Sequence, residues 1–115
     1  MVRVAVFGAN GRMGAEVCRA VEAADDLELV AAVDDGDPRD EVEARAQVVV
    51  DFTTPDAVIG NIAWCLERGI HVVVGTSGFT PERLDHVREL VALAHPAGVL
   101  IASNFSIGAV LMMQF

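Results

Sequence analysis

The sequence contains no lysine, and basic residues are scarce throughout. Its 8 Lys and Arg positions, all of them arginine, are outnumbered by 17 Asp and Glu, which gives a formal net charge of -9 at pH 7. Proteins that bind duplex nucleic acid need a basic surface to neutralise phosphates, so nucleic acid is not an expected partner. Nine of the 17 acidic residues lie between Asp25 and Glu43, where Arg39 is the only basic residue. We interpret this acidic segment as a solvent-exposed surface.

Cysteine is also scarce, and long apolar runs are absent. Cys18 and Cys65 lie in segments with a helical pattern and have no CxxC or Cys/His companion. This pattern indicates small buried residues rather than a disulfide or a metal site. No stretch reaches about 18 apolar residues, and the first residues lack the charged and apolar regions of a signal peptide. We therefore expect no membrane contact and a cytoplasmic location.

The remaining candidates for metal or acid–base chemistry are weak. His71, His86 and His95 have no carboxylate or cysteine at ligand spacing, so no metal site is expected. Asp51 and Asp56 are not interpreted as a catalytic pair. Asp56 instead fits the first turn of a helix, where the helix dipole favours an acidic residue.

The sequence does contain a regular alternation of short apolar runs and helical patterns. Hydrophobic residues make up 53% of the 115 residues, enough for one folded domain with a core. The predicted strands cover 2–7, 27–33, 47–52, 70–74 and 99–102, and the predicted helices cover 12–24, 54–68 and 80–94. Apolar strands separated by helices predict an α/β fold, a Rossmann-type doubly wound parallel sheet with helices on both faces.

Several boundaries of these elements have recognisable signals. Thr54 and Thr80 each precede a proline and are predicted to cap the free N–H groups of a helix. Gly69 is predicted to be the left-handed residue that ends the helix before it. Residues 35–46 are predicted to be an acidic connection, because Gly36 and Pro38 break regular structure.

A glycine-rich segment links the first strand to the first helix. Its residues are Gly8, Ala9, Asn10, Gly11, Arg12, Met13 and Gly14. Glycine permits a tight turn and close approach of a phosphate, and a helix N-terminus offers free N–H groups to a pyrophosphate. Asp34 ends the second strand, where a carboxylate would accept hydrogen bonds from ribose hydroxyls. We interpret the segment as a dinucleotide site, and a tight turn without a ligand is the alternative.

The residues near Asp34 bear on which dinucleotide is bound. Asp35 adds a second acid, which disfavours the 2′-phosphate of NADPH. Arg12 lies on the glycine loop and could still reach that phosphate, or could be a solvated residue of the first helical turn. We expect NADH or NADPH to be used, with a modest preference for NADH.

The ends of the later strands supply further candidate binding residues. Ligands of open parallel sheets bind outside the carboxyl ends of the strands. Hydroxyl, carboxamide and aromatic side chains follow three strands here, in the segments Asp51-Phe52-Thr53-Thr54, Gly75-Thr76-Ser77-Gly78 and Ala102-Ser103-Asn104-Phe105. Ordinary capping and turn chemistry is the alternative for each segment alone.

Four motifs, GANGRMG, VDFTTPD, VVVGTSGF and ASNFSIG, together resemble the dihydrodipicolinate reductase family. The resemblance extends over all 115 residues and implies that residues 1–115 form the N-terminal dinucleotide-binding domain. It implies that Gly8 to Gly14 hold the pyrophosphate and that Asp34 holds the ribose. It also implies that the nicotinamide lies among Gly75, Thr76, Ser77, Ala102, Ser103, Asn104 and Phe105. Two departures are Ser77, where the family usually has threonine, and Ser103, where it usually has proline.

The family's catalytic segment, a His-His pair followed by a lysine and a Gly-Thr clamp, does not occur in these residues. We assign no catalytic residue here and expect the chain to be the front of a longer protein, because the apolar face of Ile107, Val110, Leu111 and Phe115 continues to the last residue. The resemblance implies NAD(P)H-dependent reduction of 4-hydroxy-tetrahydrodipicolinate, or dihydrodipicolinate, to tetrahydrodipicolinate in lysine and diaminopimelate synthesis. The implied partners are a nicotinamide dinucleotide, a small dicarboxylate heterocycle and, at full length, other copies in a homo-oligomer. Another small-acid dehydrogenase, or a non-catalytic NAD-sensing module, would share this fold.

Overall fold

The computed structural model describes residues 1–34, 36–75, 80–93 and 97–101. Within them strands and helices alternate along the chain. In order, the elements are β1 (Val2–Phe7), α1 (Arg12–Ala23), β2 (Leu27–Val33), α2 (Asp40–Arg45), β3 (Val48–Asp51), α3 (Pro55–Glu67), β4 (His71–Val74), α4 (Pro81–Leu93) and β5 (Val99–Ile101).

The five strands form one parallel sheet in the order β2-β1-β3-β4-β5. The chain passes from β1 to β2 on one side and then returns to place β3 on the other side of β1. The carboxyl ends of β1 and β3 therefore flank the point where the strand order reverses, which is where open α/β sheets bind ligands.

Helices cover both faces of the sheet, as the alternating pattern predicts. On one face Val17 and Val21 of α1 pack against a cluster of strand valines that includes Val4, Val6 and Val50. The other face carries the larger apolar cluster, to which α2, α3 and α4 contribute Val42, Ile62 and Val87, among others. The central strands β1, β3 and β4 are mostly buried from both sides, which explains their runs of apolar residues. The predicted Rossmann-type α/β fold is confirmed.

One element was not predicted. The segment 35–46, predicted to be an irregular connection, contains the helix α2. Three acids, Asp40, Glu41 and Glu43, lie in its first turn and Arg45 in its last, an arrangement that the helix dipole favours. Val42 anchors it to the core. Only one of its six residues, Val42, is buried, so the sequence shows no helical spacing of apolar residues from which the helix could be predicted.

The boundary predictions had mixed outcomes. Gly69 has φ +71° and follows α3, which confirms the predicted left-handed end. At α4 the hydroxyl of Thr80 accepts a hydrogen bond from the Arg83 N–H at 3.2 Å, as predicted. At α3 the predicted cap is wrong, because Thr54 makes no side-chain bond to the helix. Its side chain lines a pocket instead.

The prediction of buried cysteines is confirmed for Cys65, whereas Cys18 is only partly buried beside the cluster on the α1 face of the sheet. Cys65 is fully buried, and burial raises the pKa of its thiol to about 12, so it stays protonated at neutral pH.

The ring Nδ1 of His71 accepts a hydrogen bond from the Gly98 N–H, joining β4 to the segment before β5. His95 and the predicted apolar face from Ile107 to Phe115 lie outside the described residues. Within the described ranges, no helix has both the length and the apolar character to cross a membrane.

Candidate functional site

The glycine loop makes its tightest turn directly at the end of β1. Gly8 has φ +79°, a conformation that residues with a side chain rarely adopt. The N–H groups of Gly8 and Ala9 both donate to the Val33 carbonyl, at 3.0 and 3.2 Å. A Cβ at Gly8 would also lie 2.9 Å from the Phe52 carbonyl group. Glycine is therefore required here by both the backbone angle and the approach of β3.

The other two loop glycines have different surroundings. A Cβ at Gly14 would overlap the Gly8 carbonyl oxygen and lie 2.8 Å from its carbon. Gly14 thus lets α1 pack closely against the loop, an internal role that needs no ligand. At Gly11 a Cβ would meet its nearest neighbour, the same Gly8 oxygen, at an ordinary 3.4 Å. The fold alone does not require glycine at position 11.

The N-terminus of α1 has donors that no described residue accepts. Gly11 is the N-cap and has no side chain to accept a hydrogen bond. The Gly11 carbonyl accepts the helical bond from Ala15 at 2.9 Å. The N–H groups of Arg12, Met13 and Gly14 precede that bond and have no partner among the described residues. They present a partial positive charge suited to an anion.

Asp34 connects the end of β2 to the glycine loop. Its Oδ2 accepts a hydrogen bond from the Asn10 N–H at 2.9 Å. Its own N–H donates to an Asp37 carboxylate oxygen at 2.8 Å, within a turn that contains Gly36 at φ +83°. Asp34 is half-buried and faces the pocket. The carboxylate predicted to hold a ribose therefore also orders the loop predicted to hold the pyrophosphate.

A cavity of about 320 Å³ opens between the ends of β1, β2 and β3 and the start of α3. Part of its wall consists of predicted site residues, which are Gly8, Gly11, Asp34 and Phe52. Thr53 and Thr54, from the candidate segment after β3, also line it. The wall further contains residues that were not predicted as ligand contacts, which are Phe7, Val33, Arg39, Ala57 and Asn61.

Behind the pocket wall lies a fully buried carboxylate, Asp51. Its Oδ1 accepts hydrogen bonds from the backbone N–H and the hydroxyl of Thr53, at 2.8 and 2.6 Å. Its Oδ2 accepts from the Asn61 side-chain amide at 2.9 Å. Burial raises the pKa of Asp51, while these hydrogen bonds and the charge of Arg39 oppose that rise. Asp51 holds the first residues after β3 against α3.

Arg39 extends this network to the pocket. Its Nη2 donates to the Asn61 Oδ1 at 2.6 Å. Its guanidinium carbon lies 4.4 Å from the centre of the Phe7 ring and 5.1 Å from that of Trp64. Cation–π contacts and one charge-assisted hydrogen bond therefore hold the guanidinium in place.

Phe52 brings the ends of three strands together. Its N–H donates to the Phe7 carbonyl at 3.0 Å, and the Gly75 N–H donates to the Asp51 carbonyl at 2.9 Å. A Cβ at Gly75 would overlap the Phe52 ring, whose Cζ would lie 2.7 Å away. The ring thus lies against the backbone at the end of β4. It lines the pocket while packing on the protein itself.

The structure brings some predicted site residues together and leaves others untested. Gly8, Gly11, Asp34 and Phe52 share the pocket, whereas Ala9, Asn10, Arg12, Met13 and Gly14 flank it and Gly75 lies behind Phe52. Asp35, Thr76, Ser77, Ala102, Ser103, Asn104 and Phe105 lie outside the described residues. The described residues include no group of three or more His, Cys, Asp or Glu that could hold a metal.

Arg39 and Asn61 are pocket residues that the sequence analysis missed. Arg39 had been noted only as the single cation of an acidic segment. Asn61 interrupts the apolar stretch of α3 between Val58 and Ile62. A polar residue at a buried helix position was the signal that could have identified it.

Comparisons with known proteins give one consistent family. The family profile described as "Dihydrodipicolinate reductase, N-terminus" matches residues 2–105. The 4-hydroxy-tetrahydrodipicolinate reductase of Cutibacterium acnes is 56% identical over 115 residues, which is 100% of this chain and 46% of that protein. The enzyme of the same name from Nocardia farcinica is 56% identical over 115 residues, 99% of this chain and 46% of that protein. The chain thus spans about half the length of the curated relatives it matches.

One solved structure of the same family is also similar to this chain. Dipicolinate-bound dihydrodipicolinate reductase from Paenisporosarcina sp. TG-14 is 34% identical, with a TM-score of 0.76, over 97% of this chain and 51% of that chain. GenD2 from gentamicin A biosynthesis, solved in complex with NAD, is 24% identical with a TM-score of 0.73 and shares the fold alone. Since the family profile covers nearly all of this sequence, the chain belongs to the dihydrodipicolinate reductase family, in the N-terminal part that the profile describes.

Proposed function

We propose that this chain is the dinucleotide-binding domain of an NAD(P)H-dependent reductase that acts on 4-hydroxy-tetrahydrodipicolinate or dihydrodipicolinate. The observation that supports it most directly is one pocket bounded by the glycine loop, by the acid that follows β2 and by the start of α3. Family membership supports the activity, and the 4-hydroxy-tetrahydrodipicolinate reductases that it resembles are about twice as long.

The described residues fit a dinucleotide. The open N–H groups of Arg12, Met13 and Gly14 would hold the pyrophosphate, with close approach across Gly11. Asp34 would accept hydrogen bonds from the adenosine ribose. Phe52, Thr54 and Ala57 border the remaining space, which would take the adenine. When bound, the reduced nicotinamide supplies a hydride.

The nicotinamide end of the site follows from the resemblance. Gly75, Thr76 and Ser77 after β4, and Ala102 to Phe105 after β5, would surround the nicotinamide ring. The parallel strands support this proposal because they end on the same side as the pocket. No residue of the chain is proposed as the proton donor.

The substrate proposal is a small heterocycle with two carboxylates. The related structure from Paenisporosarcina was solved with dipicolinate bound, which is a molecule of this class. Substrate recognition, protonation and assembly into an oligomer are proposed for parts of the whole protein beyond this domain. A cytoplasmic location stays a prediction.

The proposal separates binding from chemistry, and one pair of measurements tests both. Titration calorimetry of the 115-residue chain with NADH should show binding. The same chain should not oxidise NADH when dihydrodipicolinate is added, because the group that protonates the product is proposed to lie in another part of the whole protein. Substrate-dependent oxidation well above background would show that catalytic groups lie within these residues. Absence of binding to both NADH and NADPH would contradict the cofactor assignment.

A further inference from the structure

A chain of hydrogen bonds in the pocket wall begins at a fully buried residue. Asp51 lies behind the wall with no exposed surface, whereas Thr53, Asn61 and Arg39 line the pocket. The Asn61 amide nitrogen donates to the Asp51 Oδ2 at 2.9 Å, and the Asn61 Oδ1 accepts from the Arg39 Nη2 at 2.6 Å. Asp51 is thus linked to the pocket through its neighbours and not by a contact of its own.

The direction of these hydrogen bonds fixes the orientation of the Asn61 amide. Among the described residues, the Asp51 carboxylate is the acceptor in each of its hydrogen bonds, two from Thr53 and one from Asn61. The Thr53 hydroxyl oxygen also accepts from the Asn61 amide nitrogen, at 3.1 Å. A side-chain amide has one donating and one accepting end. With acceptors on one side and the Arg39 guanidinium on the other, one orientation of this amide satisfies every contact.

We infer that Asp51 is a positioning residue of the dinucleotide site. Its carboxylate fixes the direction of the Asn61 amide, and that amide holds Thr53 and Arg39 in the pocket wall. The inference rests on the proposed function, because that function places a dinucleotide against this wall. A wall whose side chains are held before the ligand arrives loses little side-chain freedom on binding, which favours affinity.

Asp51→Asn tests this role, because it keeps the shape of the side chain and changes its donors and acceptors. If the new amide nitrogen faces Asn61, it meets a donor, and rotating the Asn61 amide presents that donor to Arg39 instead. If the new nitrogen faces Thr53, it meets the backbone N–H, which is fixed as a donor. Each arrangement leaves two donors facing each other at the wall, so NADH binding should weaken at least about tenfold.

The exchanged pair, Asp51→Asn with Asn61→Asp, restores the pattern in reverse. The amide nitrogen at position 51 would donate to the carboxylate at position 61, whose other oxygen would accept from Arg39. The NADH affinity of this double variant should return to within about threefold of that of the unaltered chain. Recovery by a second change at the partner position identifies the pairing itself as the cause of the loss.

Calorimetry with NADH is done at a temperature where circular dichroism shows each variant to be folded. Under that condition a purely structural loss of stability leaves the dissociation constant unchanged. Val87→Ala is the matched control, because Val87 is a buried residue of α4 that is absent from the pocket wall. It should lower the melting temperature and leave the NADH affinity unaltered. If Asp51→Asn does not fold, Asn61→Ala replaces it, because it removes the same hydrogen bond from the other side.

Three results would overturn the inference while leaving the proposed function in place. The first is an unchanged NADH affinity in Asp51→Asn, or in Asn61→Ala where that variant replaces it. The second is an exchanged pair that binds NADH as weakly as the single variant does. The third is an equal loss of affinity in Val87→Ala. If the unaltered chain binds neither NADH nor NADPH, the proposed function itself fails.

Discussion

Neighbouring glycines in one loop are glycine for different physical reasons. Gly14 lies against the Gly8 carbonyl, so any side chain there collides with the protein itself. Gly11 has φ -72° and room for a Cβ, so the fold does not require glycine at this position, and the proposed close approach of a ligand would account for it. Substitutions at these two glycines should therefore distinguish a role in packing from a role in ligand binding.

We expect Gly11→Ala to leave the chain folded and to weaken NADH binding at least about tenfold, or about 1.4 kcal/mol. Gly14→Ala should instead lower the free energy of unfolding by about 1–3 kcal/mol, because the added methyl overpacks the loop. Urea unfolding and calorimetry on both variants measure the two effects. An unchanged NADH affinity in Gly11→Ala would remove Gly11 from the binding site.

The buried carboxylate of Asp51 gives a pH dependence with a defined sign. Because burial raises its pKa, the folded state holds this proton more tightly than the unfolded state does. The associated stability is fully present below the ordinary Asp value of 3.8 and is lost as pH rises through the folded pKa. The unfolding free energy of the unaltered chain minus that of Asp51→Asn should therefore become more positive as pH falls from neutrality. If this value instead becomes more negative as pH falls, the hydrogen bonds from Thr53 and Asn61 keep the carboxylate ionised in the folded state.

At the scale of elements, α3 contains one glycine and is ended by another. Gly60 lies inside the helix, and Gly69 follows it with φ +71°. A Cβ at either position would meet nothing within 4 Å. The two sites therefore differ in backbone conformation and not in available space.

Alanine substitutions at these two glycines should have opposite effects. Gly60→Ala should raise the free energy of unfolding by about 0.5–1 kcal/mol, because it restricts the unfolded chain and favours the helix. Gly69→Ala should lower it by about 1–2 kcal/mol, because alanine is strained in the left-handed region. Thermal and urea unfolding measure both changes. A loss of stability in Gly60→Ala would show that the exposed face of α3 makes a contact not described here.

The elements were predictable where a local pattern determines them. Gly69 ends α3 as its position indicates, and the strands follow their valine runs. The helix α2 was not predictable, since one buried valine gives no period. Arg39 and Asn61 meet across 22 residues of sequence. The two residues are in contact because the strand order places α3 beside the end of β1. A local sequence pattern does not contain that information.

At the scale of the whole molecule, the pocket joins the ends of three strands that are distant in sequence. A ligand held there would contact Gly8 directly after β1, Asp34 directly after β2 and Phe52 directly after β3. Global unfolding separates all three contacts, so a bound dinucleotide should stabilise the entire domain rather than one loop.

Saturating NADH should therefore raise the melting temperature of the chain. At about 100 times the dissociation constant, the expected gain in unfolding free energy is about 2.7 kcal/mol. Differential scanning calorimetry over a series of NADH concentrations measures it, and Gly11→Ala should show a smaller shift at the same concentrations. A melting temperature independent of NADH would contradict binding to the folded state.

The packing of Phe52 on Gly75 also restricts how this sequence can evolve. A side chain at position 75 is blocked while the ring is present, and removing the ring first leaves a gap at the junction of three strands. Each single change is unfavourable, whereas a smaller residue at 52 together with alanine at 75 restores contact. Homologous sequences should therefore change at these two positions jointly, and the double variant should be more stable than the sum of the two single losses indicates.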